Sequence, residues 1–226
     1  MGRLVFLVVI GLGGAAILIS LGVWQVQRLA WKEGVIAEIN SRIAADPVPL
    51  PLQFDRARDA YLPVQVTGSL RAAYLRVLVS KKDVGAGYRI IRPMLHPDGD
   101  ILIDLGFVKT EDAADLKFEE GPPLSIVGNL QWPQEVDGFT PEPDLDGNIW
   151  FARDVDAMAA ALGTRPILVV RRDAPEPVGP VSPMPVDTRA IPNDHLQYAV
   201  TWFSLAIIWS LMTFFFLRRK SGATKS

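Results

Sequence analysis

His195 has the clearest chemical potential in the chain, because it lies where a polar stretch meets an apolar one. Pro192 and Asn193 end the extended segment before it. Asp194 can cap a helix and Gln197 completes a capping-box pattern, so the spacing predicts a helix that begins here. In the first turn of that helix, the positive end of the helix dipole disfavours imidazolium. The neutral imidazole is the form that binds a metal.

The residues around His195 also allow a role without a metal. A histidine in the first turn of a membrane helix more often caps the helix or contacts a lipid headgroup. In that case the side chain would stabilise the helix end and bind no cofactor.

Other residues with chemical potential have simpler explanations. His96 precedes Pro97 in a turn sequence and is expected to be an ordinary surface residue. Asp144 and Asp146 resemble a fragment of a calcium-binding loop, but the closing glutamate is missing at the required spacing. The sequence has no Gly-x-Ser-x-Gly nucleophile elbow, and no pair of carboxylates stands out. We therefore expect a protein that is not an enzyme.

Two uncharged stretches predict membrane helices that would position His195. The segment from Leu196 to Leu217 has 22 residues without a charge, and at about 1.5 Å per residue it covers a hydrocarbon core of roughly 30 Å. The segment from Leu4 to Trp24 has 21 such residues. A cleaved signal peptide is the alternative for the first segment. However, the apolar region of a signal peptide is typically only about 7–15 residues long, and this segment is longer. Trp24 and Trp31 flank the outer end, as interfacial anchors do.

Helical spacing places small residues on one face of each apolar segment. On the second segment that face begins at His195 and continues through Ala199, Trp202, Ala206, Ser210 and Thr213. On the first segment Gly11, Ala15 and Gly22 share a face. Small faces suit close packing of membrane helices, although glycine is also simply common in such helices. His195 is therefore expected to point toward a partner helix or a pocket between helices.

Composition limits the classes of protein and of site. Of the 226 residues, 49% are hydrophobic and the net charge is −2, and the mean hydropathy of +0.21 is high for a soluble protein. This charge gives no electrostatic basis for binding nucleic acid. The sequence has no cysteine, which excludes disulfides and thiolate metal sites, and its two histidines are too few for a His-rich metal site.

The basic residues predict an orientation in the membrane. Arg3 precedes the first apolar segment, and Arg218, Arg219, Lys220 and Lys225 follow the second. By the positive-inside rule, both termini are expected in the cytoplasm, which leaves the 170 residues from Gln25 to Asp194 outside. Because no Arg- and Ser-rich leader precedes the first segment, a bacterial inner membrane with a periplasmic central domain is the expected location.

Between the apolar segments the pattern predicts a β-rich domain. An apolar stripe from Val26 to Ile43 extends the first helix to about Ala45, and closely spaced prolines then require an extended chain. A short helix is expected over 154–162, with Asp154 as its N-cap and Gly163 at its end. Alternating patterns predict strands near 64–69, 75–80, 87–95, 101–109, 124–132 and 166–171.

The strongest hairpin signal joins the strands at 87–95 and 101–109 through the turn sequence 96–100. In the second of these strands, Ile101, Ile103, Leu105 and Phe107 are expected to share one face. Short strands at this spacing favour an antiparallel barrel or sandwich. The predicted fold is thus two transmembrane α-helices that flank a β-rich (α+β) extracytoplasmic domain.

Four regions follow from these elements. Residues 1–45 are expected to form the N-terminal transmembrane helix and its extension, and residues 46–174 the periplasmic β-rich domain. A stiff Pro-rich linker at 175–192 is expected to run over the domain surface and return the chain to the membrane. Residues 193–226 would form the C-terminal transmembrane helix and a basic tail.

Motifs along nearly the whole chain resemble the Surfeit locus protein family. The end of the first segment carries Gly22-x-Trp24-Gln25-x-x-Arg28, and the second begins with Asn193-Asp194-His195-Leu196-Gln197-Tyr198-Ala199, followed by Thr201-Trp202. The strand motifs of the family are similar to Tyr61 with Pro63, Val64 and Gly68, to Gly87-Tyr88, to Asp104-Leu105-Gly106-Phe107-Val108 and to Asn148-x-Trp150. The family usually has Arg-Gly where this chain has Leu105-Gly106, and Asn or Glu at the position of Asp194.

This resemblance implies an assembly factor for haem-copper cytochrome c oxidase in the respiratory chain. Such a chaperone would receive haem a from haem a synthase and pass it to subunit I of the oxidase. The resemblance also implies that His195 ligates the haem iron. Trp202 and Trp24 could cover a porphyrin face. The expected partners are therefore subunit I, haem a synthase and membrane lipid.

Two alternatives remain open on the sequence alone. One is a cofactor-free membrane scaffold that holds oxidase subunits during assembly. The other concerns the iron, because a single histidine leaves ligation five-coordinate, shared with another protomer of a homo-oligomer, or completed by a group other than histidine.

Overall fold

A computed structural model of the protein describes residues 2–81, 84–172, 180–189 and 191–223. The chain forms two compact units. One comprises segments 1–38 and 188–226, and the other comprises residues 39–187. Apart from residues 180–189, 191 and 192, the predicted Pro-rich linker lies outside the described residues.

Two long helices have the length and apolar composition needed to cross a membrane. Helix α1 runs over Gly2–Ala44, so its end confirms the predicted extension to about Ala45. The third helix, α3, runs over His195–Ala223 and begins at the residue that the capping pattern indicated. At its first turn the backbone N–H of Tyr198 donates to the carbonyl oxygen of Asp194 at 3.2 Å, which places Asp194 at the N-cap position.

The central unit is built on one mixed sheet of eight strands. In chain order they are β1 Val48–Pro49, β2 Pro63–Gly68, β3 Leu75–Lys81, β4 Gly85–Met94, β5 Ile101–Lys109, β6 Leu124–Leu130, β7 Ile149–Trp150 and β8 Leu168–Arg171. Their order across the sheet is β1-β2-β6-β8-β5-β4-β3-β7. All six predicted strands are present, and β1 and β7 are additional two-residue strands.

The sequence patterns favoured an antiparallel arrangement, but the sheet is mixed. The pairs β1–β2, β3–β7 and β5–β8 are parallel, whereas the other neighbouring pairs are antiparallel. A parallel pair requires a long crossover between its strands. For β5 and β8 the crossover is the whole segment that contains β6, β7 and the short helix, and such a connection cannot be read from local alternation.

Hydrophobic clusters lie on both faces of the sheet. Ile103 of β5 and Val169 of β8 belong to the first cluster, whereas Leu102 and Leu168 belong to the second. Alternate residues of a strand point to opposite faces. Helix α2, Val155–Leu162, contributes to the second cluster through Val155, Met158 and Ala159. A strand whose two faces are both covered has a nearly continuous run of apolar residues. This explains why β5 is almost entirely apolar.

The chain after β2 pairs with the end of β4. Leu70 pairs with Met94, and the N–H of Leu95 donates to the carbonyl of Ser69 at 2.9 Å. Arg92 reinforces this connection, since its Nε donates to the carbonyl of Arg71 at 2.8 Å. Burial lowers the pKa of Arg92 to about 10.

The predicted hairpin is confirmed, with one correction. Strands β4 and β5 pair in antiparallel register, and Gly99 in their turn has a φ of +102°. A β-bulge shifts the register between Ile90 and Ile91. Val108 therefore joins the first cluster instead of Phe107, because one extra residue in a strand reverses the faces of the side chains after it.

The described part of the return segment attaches to β5. Phe107 and Ser182 exchange two backbone hydrogen bonds, of 2.7 and 2.9 Å, and Arg89 Nη2 donates to the carbonyl of Met184 at 2.7 Å. A Cβ atom on Gly106 would lie 2.1 Å from the Ser182 carbonyl oxygen, so only glycine permits this approach. These residues pack into the domain, since Val181 belongs to the first cluster and Val186 to the second.

Helix α2 follows its sequence signals closely. Asp154 accepts hydrogen bonds from the backbone N–H groups of Asp156 and Ala157. Gly163 ends the helix with a φ of +67°, the left-handed conformation that glycine adopts without strain.

Candidate functional site

Helices α1 and α3 approach each other closely at glycines. A Cβ atom on Gly11 would lie 2.2 Å from Cγ2 of Thr213, and one on Gly22 would lie 2.7 Å from Cε1 of Phe203. The indole Nε1 of Trp209 donates to the Gly11 carbonyl at 2.9 Å. The prediction that Gly11 and Gly22 line a helix-packing face is therefore confirmed.

At the opposite end of this helix pair, His195 is hydrogen-bonded to Gln25. The ring Nδ1 of His195 lies 2.8 Å from Oε1 of Gln25. Gln25 is only 8% exposed, and His195 is half-buried. The first turn of α3 thus meets the level at which the apolar part of α1 ends.

This contact bears on which ring nitrogen is available for other chemistry. An amide oxygen only accepts hydrogen bonds, so Nδ1 can donate to Oε1 of Gln25 only in the tautomer that carries the proton on Nδ1. In the neutral ring, Nε2 then holds the free lone pair. Within the described part of the chain, no hydrogen bond involves Nε2 of His195. The arrangement leaves Nε2 able to bind a ligand.

Asn193, two residues before His195 in the chain, has a polar side-chain atom that lacks a partner. The side-chain oxygen Oδ1 of Asn193 is buried and makes no hydrogen bond to any described residue. A buried acceptor without a donor is costly. One turn further along α3, Ala199 is 2% exposed, so the predicted small-residue face begins directly after the histidine.

The two tryptophans proposed to cover a porphyrin differ in exposure. Trp202 lies on the predicted face and is half-buried, whereas Trp24, which precedes Gln25 in α1, is 53% exposed. Among the described residues, no ring-to-ring contact joins them. Their part in binding a cofactor stays a prediction.

The other candidates from the sequence have structural roles in the central unit. His96 lies in the hairpin turn, where its Nδ1 accepts a hydrogen bond from the backbone N–H of Asp98 at 3.3 Å. Its side chain is 15% exposed, so it is less open than an ordinary surface residue. Asp144 accepts from the N–H of Gly147 at 2.9 Å, which closes a local turn.

The donor set of the described residues fits haem iron better than a bare metal ion. No group of three or more His, Cys, Asp or Glu side chains in the described ranges could hold an ion. Haem needs fewer protein ligands, since the porphyrin supplies four nitrogens and the protein adds axial donors. The half-buried imidazole of His195, whose Nε2 has no hydrogen-bond partner among the described residues, can supply one such donor.

A cavity between α1 and α3 lies far from this histidine. It has a volume of about 210 Å³, and Leu7, Gly11, Trp209 and Phe216 contribute to its lining. Gly11 and Gln25 are separated by 14 residues of α1, or roughly 21 Å along a helix. This cavity therefore cannot contain an iron ion bound to Nε2 of His195.

Sequence reasoning missed Gln25 as the partner of His195 and Gly14 as a packing residue. A Cβ atom on Gly14 would lie 2.5 Å from the Trp209 ring, whereas Ala15 had been expected on that face. The signal for Gln25 was present, because a polar residue at the end of an apolar helix, three residues after a packing glycine, faces the same neighbour. No local pattern could indicate that its partner is His195, since the two residues are 170 positions apart in the sequence.

Comparison with known proteins gives a consistent result over most of the chain. The model of the SURF1 family matches residues 12–207, a range that contains both Gln25 and His195. Surfeit locus protein 1 of Rattus norvegicus is 32% identical, over 90% of this chain and 73% of the rat protein. The human protein of the same name is 31% identical, over 90% of this chain and 75% of its own length. A SURF1-like protein of Drosophila melanogaster is 30% identical, over 85% of this chain and 71% of the fly protein. On the strength of these matches, which extend from the first apolar helix through the sheet to the first half of α3, the chain belongs to the SURF1 family.

Proposed function

We propose that this protein is an assembly factor for haem-copper cytochrome c oxidase that binds haem a through His195 and delivers it to subunit I. Haem a is the cargo in this proposal, and haem a synthase is its source. The protein itself carries out no covalent step. The observation on which the proposal chiefly rests is the contact between Nδ1 of His195 and Oε1 of Gln25 at 2.8 Å.

That contact supports a ligand role over a purely structural one. Metal-binding histidines commonly donate their second ring N–H to an oxygen acceptor, which fixes the tautomer and the orientation of the ring. If His195 acted only as a helix cap, its ring would be expected to contact a backbone group of its own helix. Its described partner is instead a buried side chain on another helix.

The residues of the chain would bind and orient the cargo. Nε2 of His195 would supply an axial ligand to the iron, and Gln25 would hold the ring. The buried Oδ1 of Asn193 offers an acceptor for a hydroxyl group on a ligand. Trp202, half-buried on the same helix face as His195, would contact the porphyrin plane.

The membrane setting is also part of the proposal. We propose that both termini lie in the cytoplasm and that the mixed-sheet unit lies in the periplasm of a bacterium, because Arg218 and Arg219 follow the apolar part of α3. His195 would then lie at the outer membrane–water interface, where the half-apolar, half-polar environment suits a porphyrin with charged propionates.

The rival function is a scaffold that holds oxidase subunits and binds no cofactor. Family membership is compatible with either function. The scaffold gives no reason for a buried glutamine to hold the ring of His195 with Nε2 left free.

Replacement of His195 by alanine separates the two functions. We expect the purified wild-type protein, produced together with the haem a biosynthetic enzymes, to show a Soret band and haem a in the pyridine haemochrome assay. His195→Ala should lower haem retention by more than about tenfold, while membrane insertion is unchanged.

His96→Ala is the matched control, because it removes the other histidine of the chain without altering the helix pair. If wild type and His195→Ala retain the same amount of haem with the same spectrum, the proposed site is wrong. If both contain only background haem and His195→Ala alters only subunit binding, the scaffold function is supported.

A further inference from the structure

Gln25 is a buried polar residue at the end of an apolar helix. Its exposed fraction is 8%, and it lies three residues after Gly22, on the face of α1 that contacts α3. A buried amide destabilises a protein unless its polar atoms are hydrogen-bonded. The hydrogen bond to His195 satisfies its oxygen, so the position of Gln25 depends on the imidazole ring.

Close helix packing holds the two side chains in register. The ring of Phe203 occupies the space that a side chain at position 22 would need. Ala199 lies between His195 and Phe203 on α3, and it is only 2% exposed. Gly22 and Phe203 are thus closely packed three residues before Gln25 on α1, and this packing restricts movement of the two helices next to the 2.8 Å contact.

We propose that Gln25 is a positioning residue for His195: by accepting the proton of Nδ1, it holds the ring in the tautomer whose Nε2 lone pair can bind a haem iron. The effect of Gln25 on haem binding rests on the proposed function. The first part of the inference, the tautomer, concerns the protein alone.

The hydrogen bond should act on the ring in two ways. It removes the rotational freedom of the imidazole, which lowers the entropic cost of ligation. It also increases electron density on Nε2, and a stronger axial donor stabilises ferric iron relative to ferrous iron. A carboxylate at position 25 would strengthen the second effect, whereas an alkyl side chain would abolish both.

The tautomer can be measured without any haem. The chain has two histidines, so the ¹⁵N NMR spectrum of histidine-labelled protein in detergent micelles can be assigned by comparison with His96→Asn. At a pH where the rings are neutral, wild type should carry its proton on Nδ1 of His195. Gln25→Leu should shift the proton predominantly to Nε2, the tautomer that an unpartnered histidine side chain prefers, and Gln25→Glu should keep it on Nδ1.

The consequence for the cargo is measured by titration with haem a and by redox potentiometry. Gln25→Leu should weaken haem a binding by about 10–100-fold, the usual effect of losing a hydrogen-bond partner of a metal ligand. Gln25→Glu should restore binding to within a few-fold of wild type and lower the reduction potential of the bound haem. Gln25→Leu should also raise the reduction potential of the haem that remains bound, because the axial donor becomes weaker. A purely structural role for Gln25 would leave the potential of this neutral variant unchanged.

Each outcome has a definite meaning. If Nε2 of the wild-type His195 carries the proton, the amide group donates to Nδ1 and the proposal is overturned, whatever haem does. An unchanged tautomer in Gln25→Leu, or a changed tautomer with wild-type haem affinity and potential, also overturns it. If the tautomers behave as expected but wild type binds no more haem than His195→Ala, the proposed function fails while the positioning of the ring by Gln25 stands.

Discussion

Asp104 is a fully buried carboxylate in the middle of β5. Its Oδ2 accepts a hydrogen bond from Arg89 Nε at 2.6 Å, and its exposed fraction is zero. Arg153 lies 3.7 Å from the same oxygen and also pairs with Glu135. Burial alone would raise the pKa of Glu135, but the hydrogen bonds from Arg153 hold it below its usual value. Since Arg89 also donates to Met184, this charge network attaches the return segment to the sheet.

Asp104→Asn should destabilise the central unit strongly. The substitution leaves the buried guanidinium of Arg89 without the carboxylate that it contacts, and loss of one partner of a buried ion pair costs about 3–5 kcal/mol. The free energy of unfolding would be measured by urea denaturation of the full-length protein in detergent. Asp156→Asn is the matched control. Asp156 pairs with Arg56 at the surface, where the Arg56 side chain is 46% exposed and the Asp156 side chain 62%. Such an exposed pair should contribute at most about 1 kcal/mol. Equal effects of the two variants would show that the Asp104 network is not a buried ion pair.

At the scale of elements, glycine in α1 determines how closely α3 can approach. Gly22→Leu should destabilise the helix pair, because its Cβ atom alone would lie 2.7 Å from Phe203. Overpacking of this kind typically costs about 1–3 kcal/mol. The measurement is the thermal unfolding midpoint of the full-length protein in detergent, together with haem a retention.

Gly13→Leu provides the control, since a Cβ atom at position 13 meets no atom within 4 Å. Both substitutions raise helix propensity by up to about 1 kcal/mol, so any loss of stability confined to Gly22→Leu reflects packing. A Gly22→Leu protein as stable as Gly13→Leu would contradict the close approach of the two helices.

For the whole molecule, the testable property is orientation. Both apolar helices are long enough to cross a membrane, and the basic residues Arg218 and Arg219 lie at the end of α3. Alkaline phosphatase fused after Asp173 should be active, because this enzyme folds only outside the cytoplasm, whereas a fusion after Lys220 should be inactive. The opposite pattern of activity would refute the two-span arrangement with cytoplasmic termini.

The sequence by itself determined the local elements. Uncharged length predicted both long helices, alternation predicted six strands, and capping residues located α2 to within one residue. His195 was identified because capping pattern and apolar span meet there. These features depend on residues within a few positions of one another. The spacing of apolar residues and the capping residues therefore reveal them.

Only the tertiary structure decided how these elements combine. The bulge that moves Val108 into the first cluster depends on how two neighbouring strands pair. The parallel pairing of β5 with β8 and the attachment of Ser182 to Phe107 join distant segments. The same is true of the contact between Gln25 and His195. Each of these contacts requires two distant surfaces to fit together, and a single sequence shows the pattern on each surface but not which surface it will meet.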